Sequence, residues 1–160
     1  MSISKKILVF TATYNESENI EELIKSIKTQ EPELDLLIID DNSPDNTADK
    51  IINLQKTFKK LFLIKRNGKL GLDSAHKEGY QYALKNNYDY LITMDADFSH
   101  DPNEIKNFIQ NLEEFPFVIG SRYIKGGKCL MEKKRLFLSK YGNLLIKFFL
   151  KIDCSEYTTS

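Results

Sequence analysis

Two carboxylates one residue apart, Asp95 and Asp97, close an apolar run in the stretch LITMDADFSHDP, residues 91–102. Two hard oxygen donors at the end of a strand suit Mg²⁺, which takes one or two carboxylates and completes its shell with water and substrate phosphates. If the strand persists through both, the pair faces one way, and the like charges are awkward without a cation. The competing reading is a solvated turn capped by Asp97 and Asp101, and the spacing alone does not separate the two. A second acidic cluster, Asp40 to Asp45 in DDNSPD, follows another apolar run. Carboxylates there commonly accept hydrogen bonds from a ribose or a base, which suits Asp40 and Asp41, whereas Ser43 and Asp45 fit a helix-capping turn equally well. Tyr14, in TYNE (13–16), offers a face for a base or simply packs.

The loop RNGKLGL (66–72) has two glycines and the cations Arg66 and Lys69, as a phosphate cradle would. It lacks both G-x-x-x-x-G-K-[ST] and G-x-G-x-x-G, so an ATPase or dehydrogenase has little support. Arg122, in SRY (121–123), has the fork to hold a phosphate bidentately, although a surface arginine is the commoner case. Lys133, Lys134 and Arg135 form a basic run that reads as a solvated helix face or as a platform for acidic headgroups or a lipid phosphate. His76 and His100 lack metal-ligand spacing and read as structural or exposed.

These residues need a scaffold that brings them together. Five apolar runs, 7–12, 34–39, 61–65, 88–94 and 117–120, start at intervals of about 27 residues, the length of a β-α-β unit. Segments of helical period separate them, which predicts an α/β fold with a parallel sheet. Asn15 is the expected cap of the first helix, with Glu18 three residues on and Ile20, Leu23, Ile24 and Ile27 along one face. Asp45 or Asn46 caps the second, which presents Ala48, Ile51, Ile52 and Leu54, and the third begins near Asp73 or Ser74. Asp101, Pro102 and Glu104 mark the fourth, with Ile105, Phe108, Ile109 and Leu112 as its buried stripe. Each polar cluster follows an apolar run, so all five are expected at the carboxyl edge of the sheet, where ligands of open parallel sheets bind. After Tyr123 the rhythm changes: Gly126-Gly127 breaks the chain, and 136–150 resumes a helical pattern rich in Leu and Phe.

Composition sets the outer bounds. The 160 residues fit one domain, and 23 basic against 23 acidic side chains leave no basic excess that would point to nucleic acid. Cys129 and Cys154 are too far apart for a metal or redox motif, which fits a reducing cytoplasm. The apolar stretch 144–150 falls far short of the ~20 residues of a spanning helix.

In combination, FTATYNESENI, LIIDDNSPDNTAD, RNGKLGLDSAHKEGYQYA, MDADFSHDP and GSRYIKGG resemble a family-2 glycosyltransferase. They are closest to its polyprenol-phosphate (dolichol-phosphate) mannosyltransferase and glucosyltransferase group. The resemblance implies a GT-A type, Rossmann-like, mostly parallel open sheet flanked by helices. It implies a single catalytic domain over 1–160, truncated at its C-terminus, with a nucleotide-sugar-binding sheet in 1–122 and an acceptor-side segment in 123–160. It further implies that a hexose moves with inversion from GDP-mannose or UDP-glucose to a polyprenyl phosphate at the cytoplasmic face of a membrane, touched peripherally. Asp95 and Asp97 would hold Mg²⁺ or Mn²⁺ on the donor diphosphate, and Asp97 and Arg122 would be the catalytic pair. Thr13, Tyr14, Glu16, Asp41, Lys69, Asp95, Arg135 and Ser139 would bind substrates, the last two within an R-x-x-x-S-x-x-x-N pattern that ends at Asn143. Ala12 stands where the family usually has proline, and Cys129, Leu130 and Met131 stand where many members carry a tryptophan. Two other readings use the same residues. One is a haloacid-dehalogenase-like phosphatase, with Asp95 as nucleophile, Asp97 as acid and Ser99 in the place of its threonine. The other is a fragment that binds nucleotide sugars without catalysis.

Overall fold

A computed structural model describes residues 5–124, 133–151 and 154–157, with only the backbone of Lys133 and Arg135. Gly126-Gly127, Cys129 and the Arg135 side chain, all singled out in the sequence, lie outside the described residues. The chain forms two compact units, Met1–Gln110 and Asn111–Ser160.

The first unit is built on a parallel sheet of four strands: β1 (Ile7–Thr13), β2 (Asp35–Asp40), β3 (Leu61–Lys65) and β4 (Tyr90–Thr93). Their order is β3-β2-β1-β4, so the progression reverses between β1 and β4, the position at which open α/β sheets place ligands. Three helices connect the strands: α1 (Ile20–Gln30), α2 (Thr47–Gln55) and α3 (Leu72–Lys85). Right-handed crossovers that step outward from β1 to β3 and then return to β4 put α1 and α2 on one face and α3 on the other. Covered on both faces, β1 and β2 are near-continuous apolar runs, ILVFTAT and DLLIID, instead of alternating ones. Leu8, Phe10, Leu37 and Ile39 pack against Ala75 and Ala83 of α3, and all six are buried. Ile20, Leu23, Ile24 and Ile27 of α1 and Ile51 of α2 are fully buried. Each such aliphatic side chain contributes about 1.5–3 kcal/mol on burial.

The register aligns the strand ends that matter. Thr13 lies opposite Asp40, and Asp40 opposite Lys65, so three clusters leave the sheet from one row. The parallel ladder runs one step further through Asp41 N–H to Thr13 O and Arg66 N–H to Asp40 O, both 2.9 Å. β4 ends at Thr93, opposite Phe10.

Five expectations need correction, beginning with Ile52 of the second helix, expected against the sheet but exposed because it lies off the face that buries Ala48 and Ile51. The run at 117–120 forms no strand; it follows Pro116, lasts four residues, and leaves Phe117 exposed, so the Ser121–Tyr123 cluster follows no strand and four clusters, not five, leave strand ends. A short apolar run carries too little periodicity to identify a strand. The first helix starts at Ile20 with Asn19, not Asn15, at the cap position, because Asn15 is left-handed (φ 61°) and belongs to a turn bonded elsewhere. The fourth strand stops before Asp95, so strand pleating does not set the direction of the Asp95 and Asp97 side chains. Along α4 (Ile105–Asn111) and just beyond it, Ile105 and Leu112 are buried but Phe108 and Ile109 only half-buried. The start of that segment is as expected: Asp101 accepts from Asn103 N–H at 2.9 Å, and Pro102 opens a 3-10 turn, Pro102–Glu104, that leads into α4.

The second unit contains α5 (Lys133–Leu150) and the segment 154–157. Asn143, buried on α5, accepts from Tyr157 N–H and donates from Nδ2 to Ser139 O at 2.9 Å, joining helix and segment.

Candidate functional site

At the carboxyl edge of the sheet, the loop after β1 is fastened to the loop after β2. Three successive backbone N–H groups donate across: Asn15 to Ser43 Oγ (3.0 Å), Glu16 to Thr47 Oγ1 (3.1 Å) and Ser17 to Asp45 Oδ2 (2.9 Å). Asp40, fully buried, accepts from Thr13 Oγ1 (3.0 Å), Ser43 N–H (2.9 Å) and Ser43 Oγ (2.5 Å). These hydrogen bonds replace the water that burial takes from the carboxyl group. Asp45 accepts from Thr47 N–H (3.1 Å) and Thr47 Oγ1 (2.5 Å) and so caps α2. Partial burial pushes the Asp45 carboxyl up, but the bonds from Thr47 and Ser17 outweigh it and hold the group below the usual carboxylate range. Tyr14 and Glu16 are thus carried on a loop whose backbone is already satisfied.

Asp41 faces the next loop. It pairs with Arg66, both side chains buried, and its Oδ2 accepts from Leu70 N–H (3.1 Å) and Gly71 N–H (2.8 Å). Arg66 also donates to Ser74 Oγ (2.6 Å) and Gly71 O (3.0 Å). Gly71 sits at φ 92°, a left-handed conformation that glycine adopts without a Cβ penalty. The 66–71 loop is therefore folded around the Asp41–Arg66 pair, and it carries Lys69 back over Tyr14, with Nζ 3.8 Å from the ring centroid. A lysine at that distance over a tyrosine face is an attractive cation–π contact. Thr13, Tyr14, Glu16, Asp41 and Lys69, expected together, do lie in one connected set of loops. Thr13 and Asp41 are buried and engaged with the protein itself, whereas Tyr14 is partly exposed.

Asp95 and Asp97 lie in the loop after β4. Met94 N–H donates to Phe10 O at 3.0 Å, so this loop leaves the sheet beside β1. His100 folds back on it: Asp95 N–H donates to His100 Nδ1 (3.1 Å), and His100 Nε2 lies 3.8 Å from Asp95 Oδ2. Nδ1 thus faces the backbone of the loop and Nε2 its carboxylate. Asp97 is exposed and accepts from Ser99 N–H at 2.9 Å. Residual burial pushes its carboxyl up, but the Ser99 bonds, its own N–H and His100 outweigh that and hold it below the usual carboxylate range. It is ionised at neutral pH. Among the described residues no cluster of three or more His, Cys, Asp or Glu side chains could hold a metal. A two-carboxylate loop fits a hard cation that takes its remaining ligands from water and a diphosphate, not one caged by protein.

In the second unit, Arg122 meets Glu156, which is 1% exposed. Its Nε donates to Glu156 Oε1 and its backbone N–H to Oε2, both 2.7 Å, and a further guanidinium nitrogen pairs with Oε1. Ser139 accepts from Tyr123 OH at 2.7 Å. A groove elsewhere, along α1 between Glu18, Glu21, Lys25 and Lys50, contains none of the candidate residues.

The sequence placed Arg66 in a phosphate cradle but not against Asp41, and did not reveal the roles of Ser43 and Thr47 in holding the first loop, or Glu156. The first had a signal, a cation one residue past a strand whose neighbour ends in Asp-Asp. Glu156 had none, because nothing local distinguishes a buried acid in SEYTTS from a surface one.

Solved structures share this architecture. The mannosyltransferase PcManGT from Pyrobaculum calidifontis, in complex with GDP-Man and Mn²⁺, matches 60% of this chain and 28% of its own, with a TM-score of 0.53 at 24% identity. S. aureus TarS matches 75% of this chain and 40% of its own, with a TM-score of 0.53 at 20% identity. The fold is that of the GT-A glycosyltransferases. The family model for glycosyl transferase family 2 matches residues 8–160, and the chain belongs to that family. The undecaprenyl-phosphate mannosyltransferase of Micrococcus luteus is 31% identical over 96% of this chain and 63% of its own length. The polyprenol monophosphomannose synthase of Mycolicibacterium smegmatis is 32% identical over 97% of this chain and 60% of its own length. The dolichol-phosphate mannosyltransferase of Pyrococcus furiosus is 37% identical over 77% of this chain and 35% of its own length. The chain thus spans under two thirds of the length of each of these relatives.

Proposed function

We propose that this chain is the nucleotide-sugar-binding part of an inverting glycosyltransferase that moves a hexose from a nucleotide sugar to a polyprenyl phosphate. The observation that carries the reading is the ionised, exposed Asp97 beside Asp95, on a loop leaving the sheet next to the preformed 13–17 loop. Three relatives named for transfer of mannose to lipid phosphates favour mannose, hence GDP-mannose, over glucose from UDP-glucose. Asp95 and Asp97 are the residues that would hold Mg²⁺ or Mn²⁺, which when bound supplies Lewis-acid stabilisation of a leaving diphosphate. Tyr14 and Glu16 face the nucleotide, the buried Asp41–Arg66 pair shapes the 66–71 loop beside it, and Lys69 exchanges Tyr14 for a phosphate. Arg122 and Ser139 of the second unit are the phosphate- and acceptor-side groups, with Arg122 carried by Glu156.

An acceptor phosphate monoester has its second pKa near ~6 and attacks as an anion, so no protein base is required. The demand falls on charge at the leaving group. At an effective dielectric near ~20, one charge at ~4 Å is worth about 4 kcal/mol, and ~1.4 kcal/mol is tenfold in rate. Asp97→Asn in an active form of the protein is therefore expected to lower turnover by at least ~100-fold, read as hexose transferred to polyprenyl phosphate. Near-normal metal-dependent turnover in that variant would overturn the assignment. The phosphatase reading gains nothing, because the family match spans the same loop.

Peripheral membrane contact, at the cytoplasmic face, belongs to the same proposal. No described helix is long and apolar enough to cross a membrane. α5, however, exposes Phe137, Leu138, Leu144, Phe148 and Phe149 and carries Lys134, Lys140 and Lys147 with no acidic residue along its length. A basic helix with exposed Phe and Leu suits the surface of an anionic bilayer.

A further inference from the structure

The carbonyls of the 14–17 loop are held from the helices, Glu16 O by Asn19 N–H (3.0 Å) and Ile20 N–H (2.9 Å) and Ser17 O by Lys50 Nζ (2.7 Å). Asn15 is left-handed at φ 61°, and α1 begins only at Ile20. The loop amides at Asn15 and Glu16 are held by a pair of hydroxyl relays from the loop after β2 and the start of α2. Ser43 Oγ and Thr47 Oγ1 each have one proton, and each gives it to a carboxylate at 2.5 Å, Ser43 to Asp40 and Thr47 to Asp45. With the proton committed downward, the lone pairs of each oxygen face the loop, where Asn15 N–H and Glu16 N–H donate to them. Asp45 reaches the third amide directly, Ser17 N–H at 2.9 Å. The acceptor oxygens of Asp40 and Asp45 thus set hydroxyl direction, and hydroxyl direction sets the backbone path that carries Tyr14 and Glu16.

We infer that Ser43 and Thr47 are positioning residues for nucleotide binding: they hold the 14–17 loop in its binding shape before the ligand arrives. The inference rests on the nucleotide-sugar reading of this edge and adds to it how the site is preorganised. A loop ordered in advance does not charge its ordering entropy to binding, so loss of a relay weakens affinity even where the ligand touches neither hydroxyl. Thr47 is fully buried, which makes valine a close match in shape that keeps the methyl and removes the relay.

Isothermal titration of GDP and of UDP, each with Mn²⁺, into the unaltered chain, Thr47→Val, Thr47→Ser and Ser43→Ala tests this, alongside amide exchange at residues 15–17 without ligand. Thr47→Val and Ser43→Ala are expected to bind about tenfold more weakly and to lose protection at Glu16 and Asn15 respectively, and Thr47→Ser to recover most of both. Protection lost elsewhere in the sheet to the same degree would mark a general structural effect and overturn the inference. So would undiminished affinity in both hydroxyl-free variants while the unaltered chain binds. Failure of the unaltered chain to bind either nucleotide would defeat the nucleotide reading itself, and positioning with it.

Discussion

Lys28 is a charged residue that helps close the sheet from its amino-terminal edge. It is 2% exposed, and its ammonium donates to two backbone carbonyls, Leu34 O and Lys60 O, which precede β2 and β3. Burial pushes its pKa down against the pull of Asp35. Lys28→Met keeps the aliphatic stem but strands both carbonyls, and recovering the ammonium's desolvation offsets only part of that loss. A net destabilisation of about 2 kcal/mol is expected from urea unfolding midpoints. At this scale the sequence was most informative where residue types were unusual for their place. Asp95 and Asp97 after an apolar run, and Asp40 and Asp41 after another, stood out because strands seldom end in paired acids. Their individual tasks were not legible. Whether Asp41 faces a ligand or Arg66 depends on how the 66–71 loop folds back, a long-range contact that no local pattern encodes. Lys28 was similarly hidden, because a buried lysine looks like a surface one until its carbonyl partners are known.

Helix α3 meets β1 through a gap the size of a hydrogen atom. A Cβ at Gly79 would lie 3.0 Å from the Phe10 ring, itself fully buried and edge-on to His76 at 5.2 Å between centroids. Alanine would gain about 0.5–1 kcal/mol of helix propensity, whereas overpacking a core typically costs about 1–3 kcal/mol. Gly79→Ala is therefore expected to lower stability by about 1 kcal/mol, a fall of roughly 3 °C in the melting temperature by calorimetry. The elements themselves were largely readable. Four of five apolar runs are strands, continuous and buried in β1 and β2 and mostly half-buried in the edge strands β3 and β4, and the Asp101-Pro102 start is where capping chemistry puts it. The misses share one cause. At Asn15 a tertiary bond to Ser43 overrides a good local capping pattern, and at 117–120 four apolar residues suffice for a strand only if a neighbouring strand is there to pair.

At the scale of the molecule, the sheet edge of the first unit and the apolar basic helix of the second belong to one proposed task, bringing a soluble donor to a lipid acceptor. α5 gives that idea a test of its own. Sedimentation with vesicles containing phosphatidylglycerol is expected to retain the chain, and Lys140→Glu with Lys147→Glu to weaken retention severalfold, at about 1 kcal/mol per cation near the surface. Equal partitioning of both forms would remove the helix from the account. The family was legible from the five motifs in order, although no single one sufficed. The sugar and the acceptor were not, because they depend on side chains without a local signature, such as those around Arg122, where Glu156 emerged only in three dimensions. Binding of a nucleotide sugar through a divalent cation at the carboxyl edge of this sheet is most directly tested by thermal unfolding with GDP-mannose or UDP-glucose, each with and without Mg²⁺ or Mn²⁺. A ligand at ~100 times its Kd adds about 2.7 kcal/mol, so a rise of roughly 5 °C or more is expected with one nucleotide sugar and cation together. An unchanged melting temperature with every combination at millimolar concentration would contradict the account.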